Sequence, residues 1–235
     1  MQRYQTAGMT RSKTEVLNAF MRGVYGWMTA GLALTAAVAF FTASSPALLE
    51  AIFGNQMVMW IVMLAPLGLV IALSAGIQKM SPQMATGVFL AYSGLMGLSL
   101  SSILLVYTGA SIFNTFLVCS GMFGGMSLYG MTTKRDLTAM GSFMMMGLIG
   151  LIIAMVVNMF MQSSALQWAI SGLGVIIFTA LTAWDTQKLK VMGENVPAND
   201  SAAVRRGTIL GALTLYLDFI NLFLFLLRFM GTSRD

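Results

Sequence analysis

Seven apolar runs, each roughly 19 to 23 residues long, decide most of what this chain can fold into. They fall at about 24–42, 57–75, 84–106, 112–132, 139–161, 166–184 and 208–230. At 1.5 Å per residue, each is long enough to cross a hydrocarbon layer of about 30 Å. Lipid offers no partner to a backbone N–H or C=O, so such a run must satisfy its own backbone as an α-helix. Charged residues make up 9% of the 235, against about 25% in a soluble domain, too few to cover a water-facing surface. The expectation is an all-α, polytopic membrane protein with a polar tail over 1–22, a single transmembrane domain over 23–231 and a short tail over 232–235. The polar leader before Val24 is too long for the first run to read as a secretory signal.

Lys and Arg fix the orientation. The tail carries Arg3, Arg11, Lys13 and Arg22; the second, fourth and sixth connections carry Lys79, then Lys134 and Arg135, then Lys188, Lys190, Arg205 and Arg206. The first, third and fifth connections carry none. That alternation places the N-terminus in the cytoplasm of a cell (inner) membrane. It also argues against nucleic acid as the partner behind the net charge of +5, since the basic residues sit in short blocks between runs rather than along one face. The last run leaves two possibilities: it crosses fully and puts Arg228 and Arg234 outside, or it re-enters and returns.

The chain has no histidine, which removes Ser-His and Cys-His catalysis, His-ligated metals and the usual pH switch. Its one cysteine, Cys119, lies inside an apolar run, where it is expected as a small buried hydrophobe. Gly121 and Gly125 form a GxxxG, and Gly147, Gly150, Gly172 and Gly174 recur later; small residues let helices in lipid approach closely. The 22 methionines are read as adaptable packing.

The carboxylates are few. Glu15, Glu50, Glu194, Asp200 and Asp235 lie in tails or connections, and Asp136 stands where it can cap the fifth helix or pair with Lys134 and Arg135. Asp218 lies near the middle of the last run. An Asp at a helix centre costs ~2.5–3.5 kcal/mol. The fourteen Leu, Ile and Phe of 208–230 offset it at ~0.3–0.6 kcal/mol each. Helical spacing puts Gly211, Thr214, Asp218, Asn221 and Phe225 in one stripe expected to face inward. Asp218 is then a strut between helices or an ion or proton site. Asp185, in Ala183-Trp184-Asp185-Thr186-Gln187, falls at the end of the sixth run beside Lys188 and Lys190. It pairs with one of these lysines or meets Asp218. Counting along the runs leaves the two carboxyls roughly 10–15 Å apart in depth, unless the sixth helix extends inward or the seventh tilts. If they meet, they cannot both ionise cheaply and share a proton; fully ionised, they attract a hard cation such as Ca²⁺.

Three segments carry a family resemblance. Leu210-Gly211-Ala212-Leu213-Thr214-Leu215-Tyr216-Leu217-Asp218-Phe219-Ile220-Asn221-Leu222-Phe223 resembles the signature of the Bax inhibitor-1 (TMBIM) family. So does Thr182-Ala183-Trp184-Asp185-Thr186-Gln187-Lys188, where members usually have Tyr for Trp184. The junction Tyr129 to Leu137 is similar to the family's fourth-to-fifth helix junction, and the likeness runs from about residue 22 to 231. The short connections and Tyr25-Gly26-Trp27-Met28 look like the bacterial branch. The resemblance implies a seven-helix bundle with the last helix central. It implies a di-aspartyl pair of Asp185 and Asp218, supported by Thr182, Gly211, Thr214 and Asn221, and a pH-sensitive Ca²⁺ leak through the bilayer. Some members place a basic residue in the second helix that latches to the pair; here 57–75 carries no charge.

Two functions follow. The first is a Ca²⁺ leak channel gated by protonation of the pair, with calcium as permeant ion, no resident cofactor and no enzymatic activity. The second is a regulator or binding partner of a membrane-bound protease, for which the polar 1–22 tail is the segment to grasp.

Overall fold

Helix starts in this chain are written by capping residues. Ser45, Asn55, Ser81, Thr108, Ser163 and Asp200 each accept a backbone N–H from the first turn that follows, satisfying donors a helix start leaves unpaired. The computed structural model describes residues 13–196 and 200–234; most of the 1–22 tail, including the stretch a protease would grasp, lies outside them, as does Asp235. The helices are α1 (Lys13–Ala43), α2 (Pro46–Phe53), α3 (Gln56–Gly76), α4 (Pro82–Val106), α5 (Gly109–Thr132), α6 (Thr138–Met161), α7 (Ser164–Asn195) and α8 (Ser201–Met230), with a 3-10 turn Ile77–Lys79 after α3. Seven are long and apolar enough to span a bilayer. The exception is α2, a short helix between the first two spanning helices: Ser45 caps it and Pro46 occupies its first turn.

The expected helix bounds need correcting at three places. α1 begins at Lys13 rather than Val24, α7 runs on to Asn195 past the end of its apolar run at Trp184, and α8 begins at Ser201 rather than Thr208. Hydropathy marks where lipid ends, not where the helix ends: the Lys, Glu, Gln and Arg in these extensions are good helix formers outside the hydrocarbon.

α8 is the central helix. In its spanning segment 67% of residues are buried, against 11–39% in the other six. It packs on α1, α4, α5 and α7, while α3 and α6 lie at the periphery and expose Trp60, Leu64, Ile149 and Phe160 as a lipid-facing surface. Buried hydroxyls tie the centre together. Thr35 Oγ1 donates to Ser93 O at 2.8 Å and is 2.7 Å from the Tyr216 hydroxyl, which therefore donates to it. Cys119 is fully buried, its Sγ 3.7 Å from Phe219 O.

Pro66 sits inside α3 and has no N–H to give the carbonyl of Val62 four residues back. Ser99 of α4 replaces that donor: its Oγ reaches Val62 O at 2.6 Å. Ser99→Ala is expected to lower stability by about 1 kcal/mol, read as a lower thermal midpoint in detergent; an unchanged midpoint would show that water or backbone relaxation serves equally well.

The connections sort to two ends. The starts of α1, α4 and α8 line one cleft, and α7 bonds the α5–α6 connection at the same end. At the other end the chain after α8 clasps the α4–α5 connection: Arg234 N donates to Val106 O at 2.8 Å, Thr108 N to Thr232 O at 3.2 Å, and Thr232 N to Ser111 Oγ at 2.7 Å. α8 therefore runs the length of the bundle as one helix and does not turn back. Arg228 and Arg234 lie at the clasped end; the other described basic residues lie at the opposite one.

The GxxxG expectation is also corrected. Added Cβ atoms at Gly121 and Gly125 would meet nothing within 4 Å, and both residues are exposed. Helices close instead at Gly31, Gly97, Gly130, Gly141, Gly174 and Gly211, where a Cβ would fall 2.0–2.8 Å from a neighbouring helix.

Candidate functional site: a buried carboxyl pair with one lysine

The antiparallel hairpin of α7 and α8 sets the site. Gly211 abuts Leu189, Phe225 stacks on Phe178 with ring centroids 5.7 Å apart, and Trp168 meets Phe229 at 5.2 Å. A Cβ at Gly174 would lie 2.4 Å from the Phe225 ring, so glycine at that position lets the ring seat against α7. Asp218 lies between Gly211 and Phe225; Asp185 lies between Leu189 and Phe178. This register brings the two carboxyls into contact within hydrogen-bonding reach. The depth gap suggested by counting along the apolar runs is closed by the continuation of α7 and the stagger of the hairpin.

Both groups are buried, Asp185 at 7% exposure and Asp218 at 5%. Lys188, one turn beyond Asp185, holds its Nζ 2.6 Å from Asp185 Oδ1 and lies within electrostatic reach of Asp218. Both alternatives for Asp185 are thus realised together, a lysine pair and a meeting with Asp218. The Lys188 ammonium rests 3.8 Å from the Trp184 ring centroid. That ring lies against Gly141 of α6, where a Cβ would be 2.0 Å from it.

Charge counting shows what the arrangement favours. With both carboxylates ionised, one negative charge remains uncompensated in a buried site. With one proton held between them, the remaining charge is balanced by Lys188. Burying an unpaired charge is costly, and two ionised carboxylates beside a single ammonium leave one such charge in this site.

The supporting residues behave differently from one another. Thr182 Oγ1, Thr214 Oγ1 and Asn221 Nδ2 each donate to the carbonyl four residues earlier on their own helices, at 2.7, 3.1 and 2.8 Å. Thr214 and Asn221 are half-buried, whereas Gly211 is buried against Leu189 and Val24. Near the pair, sequence reasoning missed Thr186 Oγ1 and Ser127 Oγ, two of the buried hydroxyls without partners among the described residues. Thr186 follows Asp185 directly, and Ser127 lies one turn before Gly130, whose α5 face abuts Ala183 and Thr186. No signal in one sequence marks them, since serine and threonine occur throughout the spans. Two carboxylates supply at most four of the six to eight oxygens a resident Ca²⁺ takes, and among the described residues no three Asp, Glu or Cys side chains gather as a ligand group.

The end of α7 is clamped to the α5–α6 connection. Gln187 Oε1 accepts from Leu137 N at 2.9 Å, Gln187 Nε2 donates to Arg135 O at 2.8 Å, and Lys190 Nζ donates to Met131 O at 2.9 Å. Asp136 Oδ1 accepts from Thr138 N at 2.9 Å, and its hydrogen bonds with Thr138 hold this exposed carboxyl below its ordinary range. A depressed folded-state value contributes stability above the unfolded value and loses it as pH falls through the folded one. Asp136→Ala should therefore lower the thermal midpoint slightly at neutral pH, with the deficit vanishing in acid. A deficit that grows in acid would contradict this assignment.

Comparison with known proteins places the geometry in context. The family model described as "Inhibitor of apoptosis-promoting Bax1" matches residues 17–235. The chain is similar to the inner membrane protein YbhL of Escherichia coli strain K12, 55% identical over 218 residues that cover 93% of each chain. It is 46% identical to the uncharacterized protein RP147 of Rickettsia prowazekii over 98% of this chain and 96% of that one. A protein of Borreliella burgdorferi is also 46% identical, over 97% and 98% of the two chains.

Proposed function

Because the chain belongs to the Bax inhibitor-1 family, we propose that it is a pH-sensitive cation leak, with Ca²⁺ as permeant, whose gate is the Asp185–Asp218 pair. The observation that carries the proposal is the contact between two buried carboxyls on the central helix hairpin, with Lys188 as a counter-charge beside them. A proton leaving this pair creates an uncompensated negative charge between α7 and α8. That charge favours either separation of the helices or entry of a cation. In family members with a basic latch on the second helix, the counter-charge comes from another helix; here Lys188 supplies it from α7 itself, held over Trp184.

The protein is proposed to act in the inner membrane with its N-terminus in the cytoplasm. The name of the Escherichia coli relative supports the first and the Lys/Arg bias of the connections the second. Its partners are then the bilayer, protons and calcium ions. It is proposed to hold no resident cofactor and to catalyse no reaction. The test is Ca²⁺ influx into dye-loaded proteoliposomes, scanned from about pH 5 to 8, a range that brackets the titration of a perturbed carboxyl pair. Flux above that of empty vesicles, changing with pH, is expected. No flux at any pH would defeat the proposal and turn attention to the protease-partner reading.

A further inference from the structure

At the end of the bundle where α1, α4 and α8 begin, the three helices diverge around a cleft of about 850 Å³, remote in the fold from the α7–α8 contact that joins the carboxyls. Its floor is apolar, with Phe20 and Gly23 from α1, Leu90 from α4 and Val204 from α8. Among the described residues one cation lines it. Arg205 of α8 donates from Nε to Thr86 Oγ1 at 3.3 Å, and its guanidinium carbon stands 4.4 Å from the Trp27 ring centroid. These contacts hold the group from two neighbouring helices but use only one of its N–H donors. Among the described residues it has no carboxylate partner and no acidic side chain lines the cleft.

We propose that this cleft binds one anionic phospholipid, with the lipid phosphate on Arg205 and an acyl chain along the apolar floor. A guanidinium held over an aromatic ring presents its remaining N–H groups as a planar fork, which matches two phosphate oxygens. The first turns of α4 and α8, whose Pro82 and Ser201 line the cleft, add positive potential at the same place. Trp27 belongs to the class of residues that settle at the headgroup level. A free phosphate leaves the apolar floor unfilled. A zwitterionic lipid brings a second cation into a cleft that offers it no carboxylate. The anionic lipid satisfies both the charge and the apolar surface.

The experiment is native mass spectrometry of the full chain released from vesicles of equal phosphatidylglycerol and phosphatidylcholine, with three variants. The wild type is expected to retain phosphatidylglycerol in excess. Arg205→Gln should reduce that excess about tenfold, the equivalent of one charge-assisted contact. Gly87→Leu fills the cleft from α4 at a position where an added Cβ meets nothing within 4 Å. It should remove the excess without perturbing the fold. Arg206→Gln, beside Arg205 but outside the lining, should leave it intact. Wild-type retention in both cleft variants would overturn the proposal. So would an equal loss with Arg206→Gln, which would mean diffuse surface charge, or displacement of the lipid by millimolar inorganic phosphate, which would mean a soluble ligand. None of these readouts involves calcium flux, so the site stands or falls independently of the leak.

Discussion

Asp218→Asn is expected to make the proposed calcium flux independent of pH across about pH 5 to 8, the pH-dependent component falling at least tenfold, because the exchange removes one member of the carboxyl pair. Asparagine keeps the size of the side chain and can still hydrogen-bond Asp185, so the helix contact survives. It relieves the cost of an ionisable group at the centre of α8, so insertion is not at risk. What disappears is the shared proton. Asp185 then faces a neutral amide with Lys188 2.6 Å away, a balanced ion pair with nothing left to gate. Asp185→Asn should act alike on pH dependence, leaving Asp218 and Lys188 as the remaining charges. The measurement is the proteoliposome flux profile of each variant beside wild type at matched protein density. A mutant profile that still follows wild type across the range would remove the pair from the gate and leave Asp218 as a strut between α7 and α8.

Gly130→Ala is expected to cost about 2–4 kcal/mol of stability, whereas Gly125→Ala should be neutral or slightly favourable. The motif on α5 suggests the reverse, since Gly125 belongs to the GxxxG and Gly130 does not. The packing decides. A Cβ at Gly130 would lie 2.3 Å from the carbonyl oxygen of Ala183 and 3.0 Å from Thr186 Cβ. A backbone oxygen cannot rotate away as the end of a side chain can, so α5 and α7 must part. The displaced stretch of α7 contains Asp185. Loss of stability should therefore come with altered flux. At Gly125 the added methyl enters open space, and alanine is the better helix former. Thermal midpoints in detergent, with flux on the same preparations, check both. Equal midpoints for the two variants would mean that the α5–α7 crossing is looser than its geometry.

Much of the architecture was legible because it depends on local chemistry. The length of an apolar run is matched to a bilayer thickness that does not vary with fold, so seven runs meant seven spanning helices. The Lys and Arg blocks showed which connections share an end, and the packing agrees: Arg135 and Gln187 meet there, as do Phe20, Pro82 and Ser201. Asp218 stood out because an ionisable group in an apolar run is costly, and the family signature around it pointed to Asp185 as its partner. Tertiary structure alone decided three further matters. Whether the last run crosses or returns depended on the clasp of 232–234 over the α4–α5 connection, a contact between segments more than a hundred residues apart. Which glycines serve as close contacts depended on what each helix faces, and a spacing of four cannot tell a lipid face from a protein face. That Asp185 and Asp218 touch was set by the stagger of the α7–α8 hairpin, fixed where Phe225 seats at Gly174 and Leu189 at Gly211. Hydropathy records how each residue partitions between water and lipid, one at a time. The depth at which two helices lock depends on shape fitting shape across the interface, and that information exists only once both surfaces are present.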